Sequence, residues 1–165
     1  MSFSPVPRFS FRNLTDVSPD FLDMHGIRLL MLDLDNTIAA YGESSPADEI
    51  LQWISGVKAR GVKLFIISNS KRKSRVEAFA EALDIDYINE ARKPSPKVVL
   101  AAMKAAGYRA GESALSGDQV YTDALAANRA GVLSITVRPR SLKNPLHALR
   151  YSLELPFRAF ARKKP

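Results

Sequence analysis

Five short, nearly unbroken apolar runs, at residues 29–34, 62–67, 85–88, 113–116 and 132–137, are separated by segments whose apolar residues recur every three or four positions. A strand with no polar face must be covered on both sides, which is the condition of a parallel sheet wrapped by crossover helices. The intervening segments carry helix signals to match. Ser45 stands as N-cap before Pro46, Asp48 and Glu49, and Ile50, Leu51, Ile54 and Val57 follow up to Gly61. Val76, Phe79, Ala80 and Leu83 stripe a second helix over 72–83. Val98, Val99, Ala102 and Met103 stripe a third that opens at Ser95-Pro96 and closes at Gly107, and a fourth over 121–130 stops at Gly131. Strict alternation of the two patterns predicts a three-layer α/β fold with a five-stranded, mainly parallel sheet and right-handed crossovers.

The 165 residues, 46% of them hydrophobic, suffice for the core of one domain. The absence of Cys excludes disulfides and thiolate metal sites, which fits a reducing, cytoplasmic setting. No apolar run reaches the length needed to span a bilayer, and Pro5 and Pro7 interrupt a start that bears Arg8 and Arg12 but no signal-like apolar segment. The net charge of +7 is unevenly placed: basic and acidic residues cancel through residue 137, whereas residues 138–165 hold eight basic residues and Glu154 alone on the acidic side. With that contrast the chain is read as a globular domain over 1–140 and a basic amphipathic tail over 141–165.

Reactive groups on parallel sheets collect at the carboxyl ends of strands. Asp33, Asp35 and Thr37 follow the first run, Ser68 and Asn69 the second, Lys93 the third, and Asp118 the fourth, with Asp123 five residues on. Carboxylates gathered there repel one another and call for a hard cation such as Mg2+, with Asp33 and Asp118 as its side-chain ligands and Lys93 as a fixed positive charge. In that setting Asp33 suits a nucleophile on phosphorus and Asp35 a proton shuttle, while Ser68 and Asn69 offer donors to phosphoryl oxygens. His25 and His147 fall at no strand end.

These residues carry a resemblance. DLDNT, IISNS, RKP and GDQVYTD resemble the four motifs of the haloacid dehalogenase (HAD) superfamily of phosphatases, over residues 13–140. LTDVSPDFLDMHGIRLLMLDLDNTI, ARKPSPK and GDQVYTDALAANRAG are similar to the YqeG-type subgroup of subfamily IIIA, which has a mitochondrial phosphatidylglycerophosphate phosphatase among its eukaryotic relatives. The resemblance implies a Rossmann-like fold, an aspartyl-phosphate intermediate on Asp33, and Mg2+ held by Asp33, the Asp35 backbone carbonyl and Asp118, with Asp123 supporting from behind.

Many members of that superfamily insert a lid domain after the first or second motif. Here 24 residues separate Thr37 from Val62 and 23 separate Asn69 from Lys93, against the roughly 50 an independent domain needs, so no cap domain is expected. An open site suits a phosphate displayed on something large: a phosphoprotein, a nucleic-acid end, or a phospholipid headgroup such as that of phosphatidylglycerophosphate. In the tail, Asn144-Pro145 opens a helix with Leu146, Leu149, Tyr151 and Leu153, expected to break at Pro156, and Arg150, Arg158, Arg162, Lys163 and Lys164 interleave with apolar residues. Such a segment either completes the core or touches the inner face of an anionic membrane. KRKSR at 71–75 is placed to border the pocket. No nucleic-acid-binding motif accompanies the charge, which leaves nucleic acid the least supported partner. A phospho-accepting module without turnover is the remaining alternative, and a small metabolite the remaining substrate class.

Overall fold

Along β2 (Leu29–Leu32), side chains alternate between two apolar layers, and this explains why its run has no polar member. Leu30 and Leu32 pack with Phe21, Ile54 and Phe79 on one side of the sheet, and Leu29 and Met31 with Val99, Ala102 and Ala127 on the other. The computed structural model describes residues 4–161. Within them β3 (Lys63–Ile67), β4 (Asp86–Ile88), β5 (Ser113–Gly117) and β6 (Leu133–Val137) join β2 and an additional strand, β1 (Phe9–Phe11), in the order β1-β6-β5-β2-β3-β4. Every pairing is parallel. Helices α1 (Pro19–Met24), α2 (Asp48–Ala59) and α3 (Lys73–Leu83) supply one layer, and α4 (Lys97–Ala106) and α5 (Leu125–Ala130) the other. The three-layer α/β architecture is therefore as expected, with no cap domain: the two candidate intervals hold α2, and α3 with β4.

The sheet has six strands among the described residues, not five. Phe9-Ser10-Phe11 is too short for an alternation to be read. Its strand forms because Phe9 and Phe11 pair with Ile135 and Val137 of β6. Both rings also meet Phe21 edge-on at 5.0 Å.

Two helix boundaries shift as well. Helix α2 starts at Asp48 with Ala47 at its N-cap, two residues later than Ser45 implied. In the tail, Asn144 caps α6 (Pro145–Ala159) through Leu146 N–H at 2.9 Å, and this helix runs on through Pro156. Its last turn is held from outside. Arg158, buried, donates to the Val137 carbonyl at 3.0 Å, to the Asp118 carbonyl and to Glu154 at 3.0 Å. The expected contributions of Arg162, Lys163 and Lys164 lie outside the described residues. Among the described residues no helix is long and apolar enough to cross a membrane.

Strand β2 adjoins β3 on one side and β5 on the other, so successive connections leave it in opposite directions. That reversal opens a crevice beyond the carboxyl ends of β2 and β5, and it is there that Asp33 and Asp118 stand. Because β1 is secured mainly by its two rings, Phe9→Ala is expected to lower unfolding stability by about 3 kcal/mol, measured as a drop in the urea midpoint with the slope unchanged.

Candidate active site

Asp33 leaves β2 with its N–H still bonded to the Ser116 carbonyl at 2.9 Å, which carries the sheet register one residue past the strand. The chain then turns tightly: Ile38 and Ala39 N–H groups return to the Leu34 carbonyl, and Asn36 takes a left-handed φ of 64°, a conformation asparagine tolerates. This turn sends Asp33 and Asp35 into different surroundings. Asp33 is buried; Asp35 sits on the cleft wall with Arg75 Nε 3.1 Å from its Oδ1. Arg75 is itself fixed by the carbonyls of Ala40 and Glu43 and lies over the Phe79 ring.

Lys93 reaches the floor from the far side of β3. Its ammonium lies 2.6 Å from Asp33 Oδ1, 2.6 Å from Asp123 Oδ1 and 2.9 Å from the Ile67 carbonyl, and it is almost wholly enclosed. The loop that delivers it is gripped by Asn69, whose side-chain amide donates to the Lys93 carbonyl at 3.1 Å and accepts from the Lys93 N–H at 2.8 Å. The Asn69 side chain is thus engaged with the lysine's backbone. The buried Ser68 hydroxyl accepts the Ser70 N–H at 3.1 Å, which leaves its own hydrogen to donate.

On the fourth strand end, Gly117 is required by close approach: a Cβ there would overlap Asp123 Cγ and Oδ2. Asp123 is carried by the π-helical turn Val120–Ala124, and its Oδ2 accepts the Gln119 N–H at 3.0 Å. Asp118 is buried and neither carboxylate oxygen has a hydrogen-bond partner; Arg150 of α6 stands 3.7 Å from Oδ2.

Oxygens of Asp33, Asp118 and Asp123 lie within 4.8 Å of one another. Three buried carboxylates against one buried ammonium leave uncompensated negative charge. Burial first, and then Asp123 and Asp35, push the Asp33 carboxyl up to about 7 even though Lys93 pulls it down. Burial, followed by Asp33 and Asp123, holds Asp118 well above the usual carboxylate range. Burial disfavours the Lys93 ammonium, but Asp123 and Asp33 outweigh it and raise its pKa above that of free lysine. Unpartnered buried oxygens within an all-oxygen donor set fit a hard divalent cation.

Above the floor opens a cleft of about 340 Å³ lined by Asp33, Asp35, Ser68, Asn69, Lys71 and Arg72, among others. The eight residues singled out in the sequence thus converge, Thr37 with its hydroxyl 3.5 Å from Asp33 Oδ2, and 71–75 does border the pocket. What the sequence left unread is the pairing of Arg75 with Asp35, the place of Tyr41 on the cleft wall, and the approach of Arg150 to Asp118. A larger hollow of about 490 Å³, lined by Arg12, Arg138 and Arg140, contains none of the clustered carboxylates.

A family model described as haloacid dehalogenase-like hydrolase matches residues 9–131. Among curated proteins, the chain is 31% identical over 134 residues to the probable phosphatase YqeG of Bacillus subtilis strain 168, covering 81% of this chain and 77% of that one. Among solved structures, an uncharacterized protein from Listeria monocytogenes serotype 4b superposes with a TM-score of 0.58 at 17% identity, over 81% of this chain and all of the other. The 3-deoxy-D-manno-octulosonate 8-phosphate phosphatase of Moraxella catarrhalis, solved with magnesium, phosphate and KDO, gives 0.53 at 14% identity, over 85% and 93% of the two chains. At such identities the solved structures speak for a shared fold.

Without a cation, folded Asp33 keeps its proton to about pH 7, whereas the unfolded value is 3.8, so folding stability falls as pH rises through that interval. A cation binds the deprotonated carboxylates, so the rise in melting temperature caused by Mg2+ is expected to be larger at about pH 8 than at about pH 5. Asp118→Asn should raise the cation-free melting temperature at the higher pH and remove the increment; an increment independent of pH would contradict this electrostatic picture. Separately, Gly117→Ala is expected to cost about 1–3 kcal/mol in chemical denaturation by displacing Asp123 from Lys93.

Proposed function

The chain belongs to the haloacid dehalogenase-like hydrolases, and on that premise we propose that it is a Mg2+-dependent phosphomonoesterase working through an aspartyl phosphate on Asp33. The observation that carries this reading is the contrast between two carboxylates on one turn: Asp33 enclosed beside Lys93, Asp35 on the open wall beside Arg75. Groups so differently placed suit two roles. The kinship to a protein described as a probable phosphatase points the same way.

Asp33 attacks phosphorus with the oxygen that Lys93 leaves uncovered, and the ester P–O bond breaks as Asp35 gives its proton to the departing alcohol. Asp35 then takes a proton from the incoming water, which adds to phosphorus, frees inorganic phosphate and restores the Asp33 carboxylate. Lys93 keeps Asp33 aimed and sets a positive charge beside the phosphoryl oxygens, and Ser68 donates its hydroxyl hydrogen to one of them. Asn69 acts by fixing the lysine's loop. Asp33, Asp118 and the Asp35 carbonyl would hold Mg2+, with Asp123 behind them, and the ion when bound neutralises the carboxylates and the phosphate together.

The substrate proposed is a phosphate on a membrane lipid, phosphatidylglycerophosphate in the first instance, at the cytoplasmic face of a membrane. An uncapped cleft rimmed by Lys71 and Arg72 supports a large anionic substrate. In this reading residues 1–140 perform the hydrolysis and 141–165 serve its placement.

Phosphate release from an aryl phosphate is expected to require Mg2+, to vanish in Asp33→Asn and to fall by roughly 10²–10⁴-fold in Asp35→Asn. Undiminished turnover in Asp33→Asn would reject the mechanism. An Asp33 phosphate that persists for hours in the wild type would replace the enzyme with a phospho-accepting module. A panel of phosphorylated lipids, sugars, nucleotides and peptides decides the substrate class, with the lipid expected to give the highest kcat/KM.

A further inference from the structure

Helix α6 is amphipathic in reverse. Its inward face holds Glu154 and Arg158, both buried, while Leu146, Leu149, Leu153 and Phe160 are 69%, 59%, 60% and 79% exposed along one stripe, with Leu155 on its flank at 47%. Half of the ten large hydrophobic side chains exposed among the described residues therefore belong to this helix and its cap. No exposed residue of α6 is charged. Its exposed polar residue, Ser152, returns its hydroxyl to the Ala148 carbonyl at 2.9 Å and so offers little to water. A surface helix normally turns such a stripe to the core. Here the core side is occupied by an ion pair and the stripe is left outside.

We propose that this outward face is a docking surface for anionic phospholipid bilayers, seating the chain with its cleft at the lipid surface. The inference deepens the lipid reading above and rests on it for the purpose of docking, although the contact itself needs no turnover. Charge selects the occupant. The chain's excess of positive charge lies in residues 138–165, and Glu154, the lone acid there, is withdrawn against Arg158. Exposed Arg138 and Lys143 precede the helix, and Arg162, Lys163 and Lys164 follow Phe160 in the sequence. Anionic headgroups attract all of these while acyl chains receive the leucines. A second copy of the chain would instead bring like charges together, and a nucleic-acid backbone gives the leucine stripe no partner.

Position agrees with the purpose. The His147 ring lies 4.8 Å from that of Tyr41 on the cleft wall, and Arg150 faces Asp118. The docking helix thus borders the mouth of the site.

The test uses the full chain with vesicles of phosphatidylcholine alone and of phosphatidylcholine mixed with phosphatidylglycerol. Co-sedimentation is expected with the anionic vesicles, weakening as salt is raised, and little with the zwitterionic ones. The double variant Leu149→Gln, Leu153→Gln should bind at least about tenfold more weakly, with melting temperature and hydrolysis of a soluble aryl phosphate unchanged. Equal binding by that variant, no preference for anionic vesicles, a dimer that the two substitutions dissociate, or single-strand binding that vesicles fail to displace would each overturn the proposal. Phosphate release from vesicle-borne phosphatidylglycerophosphate, measured in parallel, separates the two claims. Docking without lipid turnover rejects the substrate and leaves the surface. Lipid turnover that the double variant leaves intact, together with unaltered binding, rejects the surface and leaves the substrate.

Discussion

One buried ammonium ties the site together. Lys93 Nζ touches the carboxylate after β2, the last carbonyl of β3 and the carboxylate carried by the π-helical turn after β5. Those three groups come from separate parts of the chain, and they converge only because β2 lies between β3 and β5. A lysine enclosed this fully is costly unless its charge is matched, and two acids, Asp33 and Asp123, stand within contact distance of it. The surrounding construction serves that demand. Asn69 fixes the backbone from which Lys93 extends, and Gly117 gives up its side chain so that Asp123 can enter.

Matching the lysine leaves the site over-supplied with carboxylate. Asp123 is spent on Lys93 and the Gln119 N–H, and Asp33 gives one oxygen to the same ammonium. Asp118 keeps both oxygens buried without hydrogen bonds, and its nearest cation, Arg150, stays 3.7 Å away. Burial and mutual repulsion raise Asp33 and Asp118 together, so the folded chain by itself favours protons where function calls for charge. A divalent ion resolves that conflict by exchanging for the protons. The need for the cation is built into the packing rather than added to it.

The core of this arrangement was legible in the sequence because it depends on strand ends. LLMLDLD and ALSGD announce both a buried run and the point where it stops, and adjacency of parallel strands does the rest. Lys93 was legible from its place after the third run. Features set by side-chain reach were not. Arg75 appeared as one cation among four in KRKSR, and nothing in that string distinguishes the residue that turns back to Asp35 from those that face the cleft. The reason for a glycine directly before Asp118 emerges only when Asp123 is seen to fill the space above Gly117. Strand β1 escaped because three residues cannot establish a period, and its stability comes from β6, remote in sequence, and from the Phe21 ring.

Helix α6 shows why composition alone could not orient the tail. Leucines and arginines at helical spacing normally predict that the leucines face inward, and here two specific bonds reverse the choice. Arg158 meets carbonyls that β6 and the loop at Asp118 would otherwise leave with fewer donors, and Glu154 balances its charge inside the protein. A buried ion pair contributes little net stability against an apolar alternative, but it fixes one orientation, because rotating the helix would strand both charges and the carbonyls they serve. Pro156 is tolerated in the same turn, since its neighbours hold the helix end from the side. The pair therefore does two things at once: it braces the backbone of Asp118 from behind and leaves the leucine face turned outward beside the cleft.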